Sequence, residues 1–184
     1  MRESSELDPV VVAELLSELR IRLVRQGVSG RLRVVGGAAV AGHFPDDAEV
    51  RVTQDIDALY WPKAEVEVVA REIAAERGLP SGWLNDNARP WSPRGDDRRP
   101  TNSFQISFAD LDELVAMKLA GSREQDLKDL EILSRQMGIQ HPEQLVRIAY
   151  EQYGEDSVAL NESREDYLEI ARQVLARAKK HRRR

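Results

Sequence analysis

The sequence predicts an α+β fold, a small mixed β-sheet flanked by helices and followed by a helical C-terminal half. Three observations predict it. Strand-like and helix-like periodicities alternate from residue 31 to residue 77, a further period-two strand lies at 103–108, and the periodicity beyond is helical throughout. A chain of 184 residues fills one domain well and hardly two. It is therefore read as a single domain, with residues 1–109 as the α/β core and 110–184 as the helical part.

The elements follow in order. Asp8 and Pro9 supply a capping carboxylate and a first-turn proline, and Val12, Leu15, Leu16, Leu19 and Leu23 then recur at helical spacing up to Gly27. Arg31–Val35 reads as a strand running into Gly36–Gly37, after which Ala38–Ala41 starts a short helix and His43–Glu49 a loop. A second strand is expected from Arg51 to Tyr60. The helix from Lys63 to Arg77 follows, striped by Val66, Val69 and Ile73 and stopped at Gly78. The stretch from Leu79 to Pro100 holds four prolines and reads as a long loop, functional or mobile, carrying Trp83, Trp91, Arg94, Arg98 and Arg99. Ser103–Phe108 alternates polar and apolar residues as a half-buried strand does. Asp110 with Glu113, and Ser122 with Gln125, then read as capping boxes for helices over 111–120 and up to Met137. Pro142–Tyr153 and Ser163–Lys180 complete the helical half.

Composition excludes some classes of protein. With 41% hydrophobic and 32% charged residues and no apolar run near the ~20 residues of a membrane span, no membrane association is expected. The start MRESSELDP lacks a basic, apolar signal, and the chain has no cysteine, so a cytoplasmic location without thiolate metal sites is predicted. A net charge of -5 argues against binding nucleic acid through the overall field and leaves only local basic patches.

The chemically loaded segment is Arg51–Ala58. On a strand, alternate side chains point to opposite faces. Arg51, Thr53, Asp55 and Asp57 would share one face, and Val52, Ile56, Ala58 and Tyr60 the other. Carboxylates at i and i+2 have Cα atoms roughly 6.6 Å apart, close enough to converge on hard Mg²⁺, which takes one or two carboxylates plus phosphate oxygens and water. The alternative for Asp-x-Asp alone is a solvent-facing edge strand. Upstream, Gly36–Gly37 marks a strand-to-helix turn where bare N–H groups can meet a triphosphate. Lys118 follows Leu114 at i+4, on or beside an apolar stripe, so it either finds a partner or snorkels to solvent. Asp126 and Asp129 are helix neighbours, with Arg123 three residues before Asp126, and fit either a surface ion network or a site. His43, His141 and His181 lack ligand spacing.

The order strand, Gly-Gly, short helix, then acid-apolar-acid strand resembles the polymerase-β-like nucleotidyltransferases. VVGGAAVAGH, RVTQDIDALY, WLND and LVAMKLAGSREQDLKDLEIL more narrowly resemble the AbiEii-like and MenT-like toxin nucleotidyltransferases, over roughly Val34–Leu133. The resemblance implies Asp55 and Asp57 as ligands of Mg²⁺ or Mn²⁺, and Gly36, Gly37, Arg51, Thr53 and Lys118 as contacts of an NTP substrate. Lys118 with Asp126 or Asp129 would complete the catalytic set. It further implies a toxin that adds nucleotides to the 3′ end of tRNA, restrained by a cognate antitoxin protein, to which phosphorylation of Thr53 is a fitting means. The superfamily's third carboxylate has no counterpart in 103–108, though Asp110 lies just beyond it, so either fewer ligands serve or Asp86 or a helical aspartate substitutes. Arg94, Arg98, Arg99 and the basic end at 179–184 are candidate phosphate contacts, and Trp83 or Trp91 a candidate base-stacking surface. Two other readings stay open. The acceptor is a protein hydroxyl or a small molecule, or the chain is a non-catalytic module of the same fold.

Overall fold

The computed structural model describes residues 6–50, 52–95, 98–99 and 101–181. Among these residues the architecture is α+β, with seven α-helices and one four-stranded mixed sheet. Two compact units separate, Met1–Pro90 with Gly95–Ala109, and Trp91–Arg94 with Asp110–Arg184.

In the first unit, helix α1 (Pro9–Arg25) starts where the Asp8 carboxylate accepts the Val11 N–H at 2.9 Å, and it buries the expected stripe Val12, Leu15, Leu16, Leu19 and Leu23. Strand β1 (Gly30–Val34) leads into α2 (Gly36–His43), which begins at the glycine pair itself. Strand β2 (Ile56–Trp61), helix α3 (Lys63–Arg77), strand β3 (Leu84–Asn85) and strand β4 (Phe104–Phe108) follow. The sheet order is β3-β2-β1-β4. β1 runs antiparallel to β2, with Val34 opposite Ala58, and parallel to β4. β2 runs parallel to β3, with Asp57 beside Asn85. Leu32, Val34, Ile56, Ala58 and Phe104 are buried, and α1 and α2 both contact β4.

The second strand is shorter than its alternation suggests. Regular pairing starts at Ile56, because the described residues just before it, Gln54 and Asp55, turn aside. Thr53 forms one antiparallel bridge with Leu7, donating its N–H to the Leu7 carbonyl at 2.9 Å and accepting the Leu7 N–H at 2.7 Å. Its hydroxyl then donates to the Asp55 carbonyl at 2.8 Å. A side-chain donor two residues back competes with the ladder and closes a bend at Gln54–Asp55. Val52, expected on the same face as the buried Ile56, Ala58 and Tyr60, is consequently exposed, whereas Leu59, which alternation sets on the face of Asp55 and Asp57, is buried because β2 lies inside the sheet with α2 and α3 packed on it.

The stretch from Leu79 to Pro100 is not one long loop. It contains β3 and a 3₁₀ turn at Arg89–Trp91, elements too short to leave a periodicity. Trp83 is fully buried, and its indole N–H donates to the Ala70 carbonyl of α3 at 2.9 Å. It anchors the segment and offers no face for a base to stack on.

The second unit contains α4 (Leu111–Gly121), α5 (Glu124–Gln136), α6 (Pro142–Tyr153) and α7 (Arg164–His181). Asp110 caps α4 by accepting the Glu113 N–H at 2.9 Å. The cap of α5 falls one residue after the expected Ser122. Ser122 adopts a left-handed conformation (φ 48°) at the end of α4, and the Asp126 carboxylate accepts the Arg123 N–H at 3.2 Å. α4 packs on α5 and α6, and α7 on α5 and α6, around Leu114, Leu119, Leu130, Leu133, Leu145 and Tyr167. No helix among the described residues is long and apolar enough to cross a membrane.

The tightest backbone approach in the first unit is at Gly30, where a Cβ would stand 2.2 Å from the Trp61 carbonyl oxygen and 2.6 Å from Pro62 Cδ. Neither neighbour is a flexible side-chain end, so β1 and β2 would have to part. Gly30→Ala is expected to cost about 3 kcal/mol, the upper range for overpacking. Urea unfolding at constant m-value measures it, and a loss below about 0.5 kcal/mol, the usual scatter of surface substitutions, would contradict the register given above.

Candidate active site

β1 ends at Val34, and the chain must turn at once to enter α2. Gly36 makes that turn with φ +64°, a region that side-chain-bearing residues rarely adopt. A Cβ there would stand 3.3 Å from Asp57 Oδ2, so the glycine also lets the carboxylate lie against the first turn of α2. The backbone holds the same arrangement, since the Val35 N–H donates to the Asp57 carbonyl at 2.9 Å. Gly37 faces open space, with nothing within 4 Å of where its Cβ would be. The first N–H groups of a helix have no partner within it and carry the positive end of its dipole. Thus an acid, a glycine turn and a helix start meet at one point.

Asp55 reaches this end of β2 from the bend and not from the pleat. Its carboxylate Oδ2 accepts the Asn85 side-chain amide at 3.0 Å, and Asn85 is in turn placed by its register beside Asp57. Asn85 was not among the residues singled out from the sequence. It lies in WLND, but a two-residue strand carries no signal that it pairs with β2. Arg51 lies outside the described residues.

The candidates for a third carboxylate are engaged elsewhere. Asp86 is held by Lys63 at 2.9 Å and by Arg89 at 3.0 Å. Burial pushes its carboxyl up, but the hydrogen bonds from Lys63 and Arg89 outweigh this and hold it below the ordinary range. Asp110 caps α4 and pairs with Arg94. Among the described residues, no three His, Cys, Asp or Glu side chains group as a metal site. The His43 ring contacts the Ala109 carbonyl at 2.8 Å, and His141 stands at the start of α6.

In the second unit, Lys118 does not snorkel. Its side chain is 9% exposed, with Nζ 3.1 Å from Asp126 Oδ1 and 2.7 Å from Asp129 Oδ2. The contact with Asp126 is a hydrogen bond; the shorter one with Asp129 is an ion pair. Arg123 Nε adds a further bond to Asp126 Oδ2 at 2.8 Å. The two aspartates therefore form a buried network joining α4 to α5, not a helix-surface one. Burial raises the Asp126 carboxyl, and the charge of Lys118 with the hydrogen bonds of Arg123 and Lys118 more than reverses this, leaving it below the usual carboxylate range.

No family model, curated protein or solved structure matches the chain.

Two outcomes follow for the second unit. Lys118→Met would remove the ammonium that two buried carboxylates share, a loss on the order of 3–5 kcal/mol, read by chemical denaturation. An unchanged midpoint would show the network to be unimportant for stability. Because the Asp126 carboxyl is lowered in the folded state, the unfolded chain takes up its proton first. Its contribution is complete above an ordinary Asp pKa of about 3.9 and is lost as pH falls through the lower folded value. Asp126→Asn should flatten that acid limb of a stability-against-pH curve. An equally steep limb in the variant would assign it to other carboxylates.

Proposed function

We propose that the protein is a metal-dependent nucleotidyltransferase, moving NMP from an NTP to an acceptor hydroxyl with release of pyrophosphate. The observation that carries this reading is the Asp57 carboxylate set against Gly36 at the start of α2, with Asp55 tethered two residues upstream. A helix start next to a glycine that bears no side chain invites phosphate oxygens, and a carboxylate beside it repels them. A divalent cation resolves the conflict. The donor set suits Mg²⁺ or Mn²⁺: two carboxylates and no sulfur or imidazole, leaving the remaining positions to substrate oxygens and water. When bound, such an ion neutralises charge on the phosphates and on the departing pyrophosphate.

The chain's own residues bind and orient. Asp55 and Asp57 would hold the cation, and the N–H groups of the Gly36–Gly37 turn would receive phosphate oxygens over the open side of Gly37. The acceptor oxygen attacks the α-phosphorus as the bond to the bridging oxygen of the β-phosphate breaks. Positioning and charge compensation suffice for this step, so no side-chain nucleophile is needed. Lys118 and Asp126, which the resemblance assigns to the reaction, are already engaged with each other, so the glycine turn and the aspartates carry the reading.

The acceptor proposed is the 3′ end of tRNA, and the cellular role that of a toxin with a cognate antitoxin. Trp91, 59% exposed, and the exposed Arg98 and Arg99 supply the aromatic and cationic chemistry that single-stranded RNA uses. A phosphate on Thr53 would remove the donor that closes the Asp55 bend and bring a dianion beside the carboxylates, which fits inhibition.

Incubating the full chain with each α-labelled NTP, Mg²⁺ and total tRNA tests the proposal. Label in tRNA is expected, lowered at least ~100-fold in Asp57→Asn, the scale of losing part of a metal's charge stabilisation, at an unchanged thermal midpoint. Label in protein alone would replace the acceptor with a protein hydroxyl. No incorporation from any NTP into tRNA, protein or small molecules would overturn the transferase reading.

A further inference from the structure

We infer that Asn85 is a positioning residue of this site, one that fixes how Asp55 presents its carboxylate. The inference rests on the proposed nucleotide site. The Asn85 side chain is held at both ends. Its Oδ1 accepts the Asn87 N–H at 3.0 Å, while its Nδ2 donates to Asp55 Oδ2 at 3.0 Å. A backbone N–H can only donate, so Oδ1 must face Asn87 and the amide cannot flip. The NH₂ group is thereby committed to Asp55. Oδ2 of Asp55 is thus engaged, and Oδ1 is the oxygen presented to a cation.

The backbone reinforces this. β3 lies parallel to β2 with Asn85 beside Asp57 and Leu84 beside Ile56, and the Ile56 N–H donates to the Trp83 carbonyl at 2.6 Å. Trp83 is in turn buried and bonded to α3. The short strand is therefore fixed to the same scaffold as the aspartates. Asp55 needs such an external restraint because it sits in a bend, outside the ladder that fixes Asp57. Groups that hydrogen-bond a ligating carboxylate set its orientation, and their removal typically costs ~10–100-fold in metal affinity.

The test is a cycle of four full-length proteins, wild type, Asn85→Ala, Asp55→Asn and the double variant. Binding of Mn²⁺ with a non-hydrolysable ATP or GTP analogue is measured by calorimetry, beside thermal midpoints. Asn85→Ala is expected to weaken binding about 10-fold at a nearly constant midpoint, and to have less than a 2-fold effect once Asp55 is already Asn, since coupled residues fail to add. Equal losses in both backgrounds, or no loss in either, would overturn the role of Asn85 while leaving the nucleotide site standing. No binding by wild type would overturn the site itself and the inference with it. In the free protein, slow solvent exchange of the Asn85 side-chain amide protons, accelerated in Asp55→Ala, is the second expected result. Fast exchange in wild type would overturn the inference even where Asp55→Asn binds too weakly to measure.

Discussion

Asp57 is held from two directions. Its carbonyl receives the Val35 N–H at the end of β1, and its carboxylate lies against Gly36, where a Cβ would crowd it at 3.3 Å. The close approach of the glycine turn to the first residues of β2 determines most of what surrounds it. It sets where α2 begins, which strand end the helix start faces, and which side chain lies against its first turn. Because β1 is bonded on both sides, antiparallel to β2 and parallel to β4, this junction is attached to an interior strand of the sheet. The glycine turn and Asp57 are thereby placed on a rigid scaffold, which the proposed nucleotide site would require for precise positioning.

The two aspartates differ in how they are held. Asp57 belongs to a regular strand, and its orientation follows from the pleat. Asp55 lies in a bend that Thr53 closes through its hydroxyl, and its carboxylate is tethered by Asn85. A bend frees the carboxylate from strand geometry and makes it dependent on side-chain partners. Both partners come from outside β2, through the bridge between Thr53 and Leu7 and through β3.

The helical unit solves a different electrostatic problem. Three ionisable groups, Lys118, Asp126 and Asp129, are nearly removed from water. Such burial is expensive unless each charge finds a partner. Here one ammonium serves two carboxylates, and Arg123 at the surface supplies additional positive charge to Asp126. The same Asp126 caps the start of α5, so the electrostatic network also fixes where the helix begins. This explains the one-residue displacement of the cap, since a buried carboxylate answers both a lysine and a backbone N–H, whereas the half-buried Ser122 gives its hydroxyl to the Leu119 carbonyl.

The sequence by itself determined the helices and the character of the site. Periodic apolar stripes and local caps, as in Val12 to Leu23 after Asp8, are decided within a few residues, where side-chain spacing and nearby hydrogen bonds dominate. The glycine pair and the Asp-x-Asp spacing were likewise legible, because each expresses a local chemical requirement. What only the tertiary structure decided depends on partners distant in the chain. Leu7 and Thr53 bend the segment that alternation predicts as strand, Trp83 anchors to α3, and a two-residue β3 carries Asn85 to Asp55 across 30 positions. The partners of Lys118 were undecided for the same reason, for a lysine beside an apolar stripe has no local instruction to turn inward. Burial of its charge is favourable only once α5 folds against α4 and brings two carboxylates to it.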